Sequence, residues 1–253
     1  MDILDRPFGY AMILDTAYGR MIVDRYDTIA TPGLASSGKG LEHETIERMA
    51  ECLPFRQDSP NVIDVGANVG VYTLGLASRL LPGGRVYAFE PQRILFNMLA
   101  GSVALNSLDN VFCCNMALGD RDGEIEIPQY DYDRPMSFGS IEFDGEQKEP
   151  LAQERGHDPA RRETVPLVRL DSLGLRRVGL IKIDVEGMEE KVLAGARETI
   201  ARERPFVLLE TIKSDRDALR ALFTRWDYAV IDAGINDFYC PNEFLKPGGM
   251  PSL

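Results

Sequence analysis

The sequence predicts an α/β fold built on a doubly wound, mostly parallel sheet, with a short N-terminal extension. Three observations predict it. Short apolar runs stop at a glycine or an acid, as in Asn61 to Val65, Arg85 to Phe89 and Val178 to Asp184, which suits strands buried on both faces. Stretches with helical apolar spacing alternate with these runs. The connections between them are of ordinary length, so the strand–helix–strand units call for parallel pairing with right-handed crossovers.

Each element follows in order. Residues 1–40 read as irregular, partly extended chain, with turn signals at Thr31-Pro32-Gly33 and from Ser36 to Gly40. Leu41, Thr45, Ile46, Met49, Ala50 and Leu53 recur at helical spacing, and Pro54 ends that helix. Residues 1–53 therefore form an extension and helix, a candidate cover over a substrate, and residues 54–253 form the main domain. Asn61 to Val65 is the first strand, Asn68 to Leu81 a helix, Arg85 to Phe89 the second strand, Gln92 to Leu105 a helix and Val111 to Asn115 the third strand. Residues 117–128 suggest a hairpin turning at Asp122-Gly123. An insertion at about 129–163 is rich in charge, Pro and Gly, and its later part, 145–162, suits either a lid or disorder. Val178 to Asp184 is a strand, Met188 to Arg202 one helix, Pro205 to Glu210 a strand, Ser214 to Trp226 a helix and Tyr228 to Asp232 a strand. Phe238 to Cys240 is a last strand that an antiparallel pairing would suit.

Composition narrows the partners. With 44% hydrophobic and 27% charged residues, the 253-residue chain can bury a sizeable core. A net charge of −12 without a basic stripe argues against nucleic acid and favours a small-molecule or glycan acceptor. The start, MDILDRPFGYAMILD, lacks the basic flank and apolar run of a secretory leader, and no apolar stretch is long enough to span a membrane. Cys52, Cys113, Cys114 and Cys240 lack metal-type spacing and suit reduced thiols, hence a cytoplasmic setting. A homo-oligomer stays open.

Ligands of open α/β sheets sit at the carboxyl ends of strands. Those ends offer Asp64 with Gly66-Ala67-Asn68-Val69-Gly70, then Glu90-Pro91, Asn115-Met116-Ala117, Asp184-Val185-Glu186 and Glu210. Gly66-x-x-x-Gly70 is not the G-x-G-x-x-G of pyrophosphate binding, since Asn68 and Val71 replace the second and third glycines. Glu90, 20 residues beyond Gly70, can accept hydrogen bonds from both hydroxyls of a ribose. The pattern suits an adenosyl group without pyrophosphate, as in S-adenosylmethionine.

The motifs Val62 to Gly70, Phe89 to Pro91, Ala117 to Asp120, Leu170 to Leu173 and Ile181 to Gly187 occur in the order found in FkbM family methyltransferases. Glu189, Val192-Leu193, Gly195-Ala196 and Pro205 to Glu210 extend this resemblance to about residues 40–240. It implies a seven-stranded, Rossmann-like class I methyltransferase fold and O-methylation of a sugar, polyketide or other secondary metabolite. By position, it implies that Asp64, Gly66, Asn68 and Gly70 hold the methionine part of the cofactor, with Ala67 and Val69 in the same loop. Glu90 would hold the ribose, Asn115 to Ala117 would lie near the adenine, and Asp184 and Glu186 beside the transferring methyl.

A hydroxyl acceptor needs a base, and Asp184 is the first candidate, followed by Glu186 and Glu210. Asp184 could instead bind the cofactor or cap the next helix. Asp184 and Glu210 with a third oxygen could hold a divalent cation, but no further acidic cluster is evident and no metal is expected. Lys182, inside an apolar strand, suits a buried ion pair. His43 suits an exposed helical position. Tyr130, Tyr132 and Phe138 are candidates to stack on the acceptor, whereas Trp226, Tyr228, Phe238 and Tyr239 suit packing. A dinucleotide-dependent oxidoreductase, a non-catalytic adenosyl-binding protein, and an N- or C-methyltransferase are the competing classes.

Overall fold

A computed structural model describes residues 9–58, 60–143, 151–153 and 161–245. The N-terminal extension is more regular than its sequence suggests. Strands β1 (Ala11–Thr16) and β2 (Gly19–Asp24) form an antiparallel hairpin, followed by helices α1 (Ala30–Ser37) and α2 (His43–Cys52). The predicted turn at Thr31 to Gly33 lies inside α1. Pro32 sits in the first turn, where its missing N–H is not needed. The Asp27 carboxylate accepts hydrogen bonds from the amides of Ile29 at 3.0 Å and Ala30 at 2.6 Å, which starts the helix.

The first half of the main sheet comprises β3 (Asn61–Val65), α3 (Val71–Ala77), β4 (Val86–Phe89), α4 (Arg93–Leu105) and β5 (Val111–Cys114). The second comprises β9 (Val178–Ile183), α5 (Glu189–Gly195), α6 (Arg197–Glu203), β10 (Phe206–Glu210), α7 (Arg216–Arg225), β11 (Tyr228–Ala233) and β12 (Asn236–Pro241). The seven strands lie in the order β11-β12-β10-β9-β3-β4-β5. Only β12 runs against its neighbours, pairing antiparallel with both β10 and β11, so the seven-stranded, mostly parallel sheet expected from sequence is the one observed. Every residue of β3 and β9 is buried, which explains their unbroken apolar character. Strand order reverses between β3 and β9, and a crevice opens at their carboxyl ends.

Two helices differ from expectation for local reasons. α3 begins at Val71 rather than Asn68, because Asn68 (φ 51°) and Gly70 (φ 95°) both hold left-handed backbone. The single helix expected from Met188 to Arg202 is two, α5 and α6. At the break, a Cβ on Gly195 would lie 1.9 Å from the carbonyl oxygen of Gly119, so the backbones touch there.

Residues 117–128 do not form a hairpin. β6 (Ala117–Leu118) and β7 (Gly123–Pro128) both pair with β8 (Arg162–Val168), giving a small sheet in the order β6-β8-β7. Asp122, the expected turn residue, instead accepts hydrogen bonds from the Arg169 amide at 2.8 Å and the Ser172 hydroxyl at 2.7 Å. The insertion is anchored by Met136, which forms a parallel bridge with Asp27 of the extension. The lid-or-disorder question at 145–162 falls, apart from 151–153 and 161–162, outside the described residues.

Candidate active site

Where β3 ends, Gly66 turns the chain with φ 77°, and a Cβ there would meet the Asp184 carbonyl oxygen at 1.8 Å. The turn can thus close only on glycine. It delivers the Asn68 amide to Glu90, whose Oε2 accepts it at 2.8 Å while Oε1 accepts the Gln92 amide at 2.8 Å. Burial pushes the Glu90 carboxyl up to about 7, against the two amides. Each Glu90 oxygen keeps a second lone pair for a ligand donor.

A cavity of about 350 Å³ runs from this turn across the sheet end. Gly66 to Val69, Glu90 to Gln92 and Met116 to Leu118 line one end, and Glu42, Tyr72, Asp184, Glu186, Glu210 and Lys213 line the other. The carboxylates of Asp184, Glu186 and Glu210 each bring one oxygen within 4.8 Å of the others. That is a donor set a hard divalent cation accepts. Two ammonium groups already serve it: Lys182 lies 3.5 Å from Asp184, and Lys213 lies 2.6 Å from Glu186.

The charges act on one another. Burial, then the Asp184 charge, pushes Glu186 up to about 7 despite Lys213. Burial together with Asp184 and Glu186 pushes Glu210 up to about 9, so at neutral pH it is protonated and can donate. Burial opposes the charge of Lys182, yet the Asp184 and Asp64 carboxylates outweigh it and hold the ammonium above its ordinary range. Lys182 donates to the Gly66 carbonyl at 2.7 Å and lies 3.4 Å from Asp64, the buried ion pair expected of it.

Of the sequence-predicted residues, Gly66, Ala67, Asn68, Val69, Glu90, Pro91, Met116, Ala117, Asp184, Glu186 and Glu210 line the cavity. Asp64, Gly70 and Asn115 stand behind its wall. Asp64 takes a hydrogen bond from Thr73 at 2.6 Å and faces Lys182, which ties β3 to β9 beneath the cavity. Gly70 starts α3 against Leu99, and the Asn115 amide group holds the carbonyls of Glu90 and Pro91 at 2.9 Å each.

The three aromatics expected to stack on an acceptor are packing residues. Tyr132 stacks on Phe138 at 4.5 Å and meets Tyr10 at 6.0 Å, and Tyr130 and Phe138 are buried. His43 is half-buried rather than exposed, bonded to the Tyr18 hydroxyl at 3.0 Å. The C-terminal aromatics do pack, with Phe223 stacked on Tyr239 at 3.7 Å. Sequence reasoning missed Glu42, Tyr72, Gln92 and Lys213. Gln92 and Lys213 could have been found, since each follows a strand end within three residues.

The family model described as "Methyltransferase FkbM domain" matches residues 64–230. A protein named Methyltransferase 1 from Beauveria bassiana is 29% identical over 188 residues, covering 69% of this chain and 73% of the relative. Methyltransferase sdnD from Sordaria araneosa is 29% identical over 164 residues, covering 55% of this chain and 61% of the relative. A crystal structure of an FkbM methyltransferase from Methylobacillus flagellatus superposes with a TM-score of 0.49 at 19% identity, covering 72% of this chain and 43% of that one.

Proposed function

From the premise that the chain belongs to the FkbM methyltransferase family, we propose that it transfers a methyl group from S-adenosylmethionine to a hydroxyl of a sugar, polyketide or similar small molecule. The observation that carries this reading is the single cavity joining the Gly66–Glu90 end to the Asp184, Glu186 and Glu210 carboxylates.

The donor end fits an adenosyl group. Glu90 presents two carboxylate oxygens, the match for two ribose hydroxyls, and Met116 and Pro91 offer apolar surface for an adenine face. Asn68 stands where a pyrophosphate would need glycine, which favours a nucleoside without phosphates. When bound, S-adenosylmethionine supplies a methyl group on a sulfonium whose leaving group is a neutral thioether.

The residues opposite supply alignment and a base. Aligning the acceptor oxygen with the methyl carbon accounts for much of such catalysis. As the oxygen–methyl bond forms, the hydroxyl proton passes to a carboxylate oxygen of Asp184 or Glu186. Protonated Glu210 donates a hydrogen bond to a second acceptor oxygen, and Lys213 keeps Glu186 in place.

Calorimetric titration with S-adenosylhomocysteine and, separately, NAD tests the reading. S-adenosylhomocysteine alone should bind, and Glu90→Ala should weaken it about 100-fold while the fold persists by circular dichroism. Binding of NAD, or of neither ligand, would overturn it. With an acceptor in hand, kcat/KM should rise with pH through about 7 as Glu186 ionises, and Glu186→Gln should remove that rise.

A further inference from the structure

The mouth of the cavity is built unlike its floor. Among the described residues, ten large apolar side chains are exposed, and four of them line this one opening: Ile29 (52% exposed), Leu41 (73%), Ile212 (53%) and Ile235 (50%). They come from four separate segments: the turn before α1, the link between α1 and α2, the loop after β10, and the β11–β12 turn. Convergence from four places onto one rim is not the scatter expected of ordinary exposed apolar residues.

Their backbones are held. The Ile29 amide donates to Asp27 at 3.0 Å, and the Ile235 carbonyl accepts from the Thr211 amide at 3.0 Å, next to Ile212. The Gly40 amide beside Leu41 donates to the Tyr18 hydroxyl at 3.1 Å. The apolar side chains are therefore presented outward by a fixed frame.

The space below them is limited. A cavity of about 350 Å³ lies near the small end of the range that takes one small ligand. If its Gly66–Glu90 end holds a nucleoside, what remains over the acids admits only the reacting end of an acceptor. The rest of that molecule must lie at the mouth, against the four apolar side chains.

We propose that the acceptor is amphipathic: a hydroxylated end enters over Asp184, Glu186 and Glu210, and an apolar body rests on the collar of Ile29, Leu41, Ile212 and Ile235. This rests on the methyl-transfer reading for the placing of the donor, and it selects, among hydroxyl compounds, those that carry an apolar body. Free sugars and other fully polar hydroxyl compounds are poor acceptors.

The test uses the full chain saturated with S-adenosylhomocysteine and two probes that share a polar end, n-octyl β-glucoside below its micelle concentration and methyl β-glucoside. Calorimetry should show the octyl compound binding at least tenfold more tightly. Leu41→Ser and Ile212→Ser should each reduce that advantage about fivefold, leaving S-adenosylhomocysteine affinity within twofold of the parent. Equal binding of the two glucosides, or binding of neither, overturns the proposal. So does an octyl preference that both variants retain. Should the two variants instead dissolve a dimer seen by sedimentation, with the octyl preference unchanged, the collar is a contact between copies of this chain. Failure of S-adenosylhomocysteine to bind the parent protein would strike the methyl-transfer reading, and the amphipathic proposal with it.

Discussion

At the scale of single residues, Asp64 and Lys182 show how a motif can carry two meanings. They are register partners on adjacent strands β3 and β9, and only the folded sheet reveals that the acid of the glycine motif faces a lysine that lies past five intervening strands, β4 to β8, in sequence. The lysine in an apolar run signalled an ion pair; nothing in one sequence says which acid answers it. Lys182→Met leaves Asp64 buried without its counter-ion and should cost about 3–5 kcal/mol in urea unfolding. Adding Asp64→Asn to that variant should recover part of the loss. Glu210 carries a pH signature. It ionises near 4.5 when unfolded and at about 9 when folded, so its contribution is complete below pH 4.5 and is lost as pH rises through 9. Unfolding free energy should decline over that window, and Glu210→Gln should flatten the decline and stabilise the protein at pH 8 by about 1–3 kcal/mol.

At the scale of elements, legibility followed sequence distance. Buried parallel strands and the long helix α4 announce themselves within a dozen residues, because each closes its own hydrogen bonds or buries both faces. The small sheet does not, because Ile125 of β7 pairs with Val165 of β8 across the insertion, and no local period records such a partner. The β1–β2 hairpin was missed for another reason. β1 alternates between exposed and half-buried residues, so its apolar face is only partly covered and its pattern is faint. The roof of the cavity depends on Asp27, which starts α1 and also accepts the Phe138 amide at 3.2 Å. Asp27→Ala should cost about 1–2 kcal/mol, the usual value of a lost helix cap. Amide exchange should rise together at residues 28–37 and 136–140, because one carboxylate ties both segments; a rise confined to α1 would show that the second tie is immaterial.

At the scale of the whole molecule, the donor half of the site was readable because it is local. Glycine turn and acid lie within one β–α–β unit, from Asn61 to Glu90. The acceptor half gathers residues from Ile29 to Ile235, and no spacing rule connects them. Stability should follow the same division. Amide exchange should be slowest in β3 and β9, flanked by strands on both sides and covered on both faces, and faster in the peripheral β1–β2 hairpin. The position of β12 bears on how the chain is made. Among the described residues it is the last strand in sequence, and it lies between β10 and β11. While the polypeptide emerges from the ribosome, β10 keeps an open outer edge until residue 241 has been added, and an open apolar edge invites pairing with another nascent chain. A message truncated between Ala233 and Asn236 should therefore yield aggregates rather than a weakened enzyme.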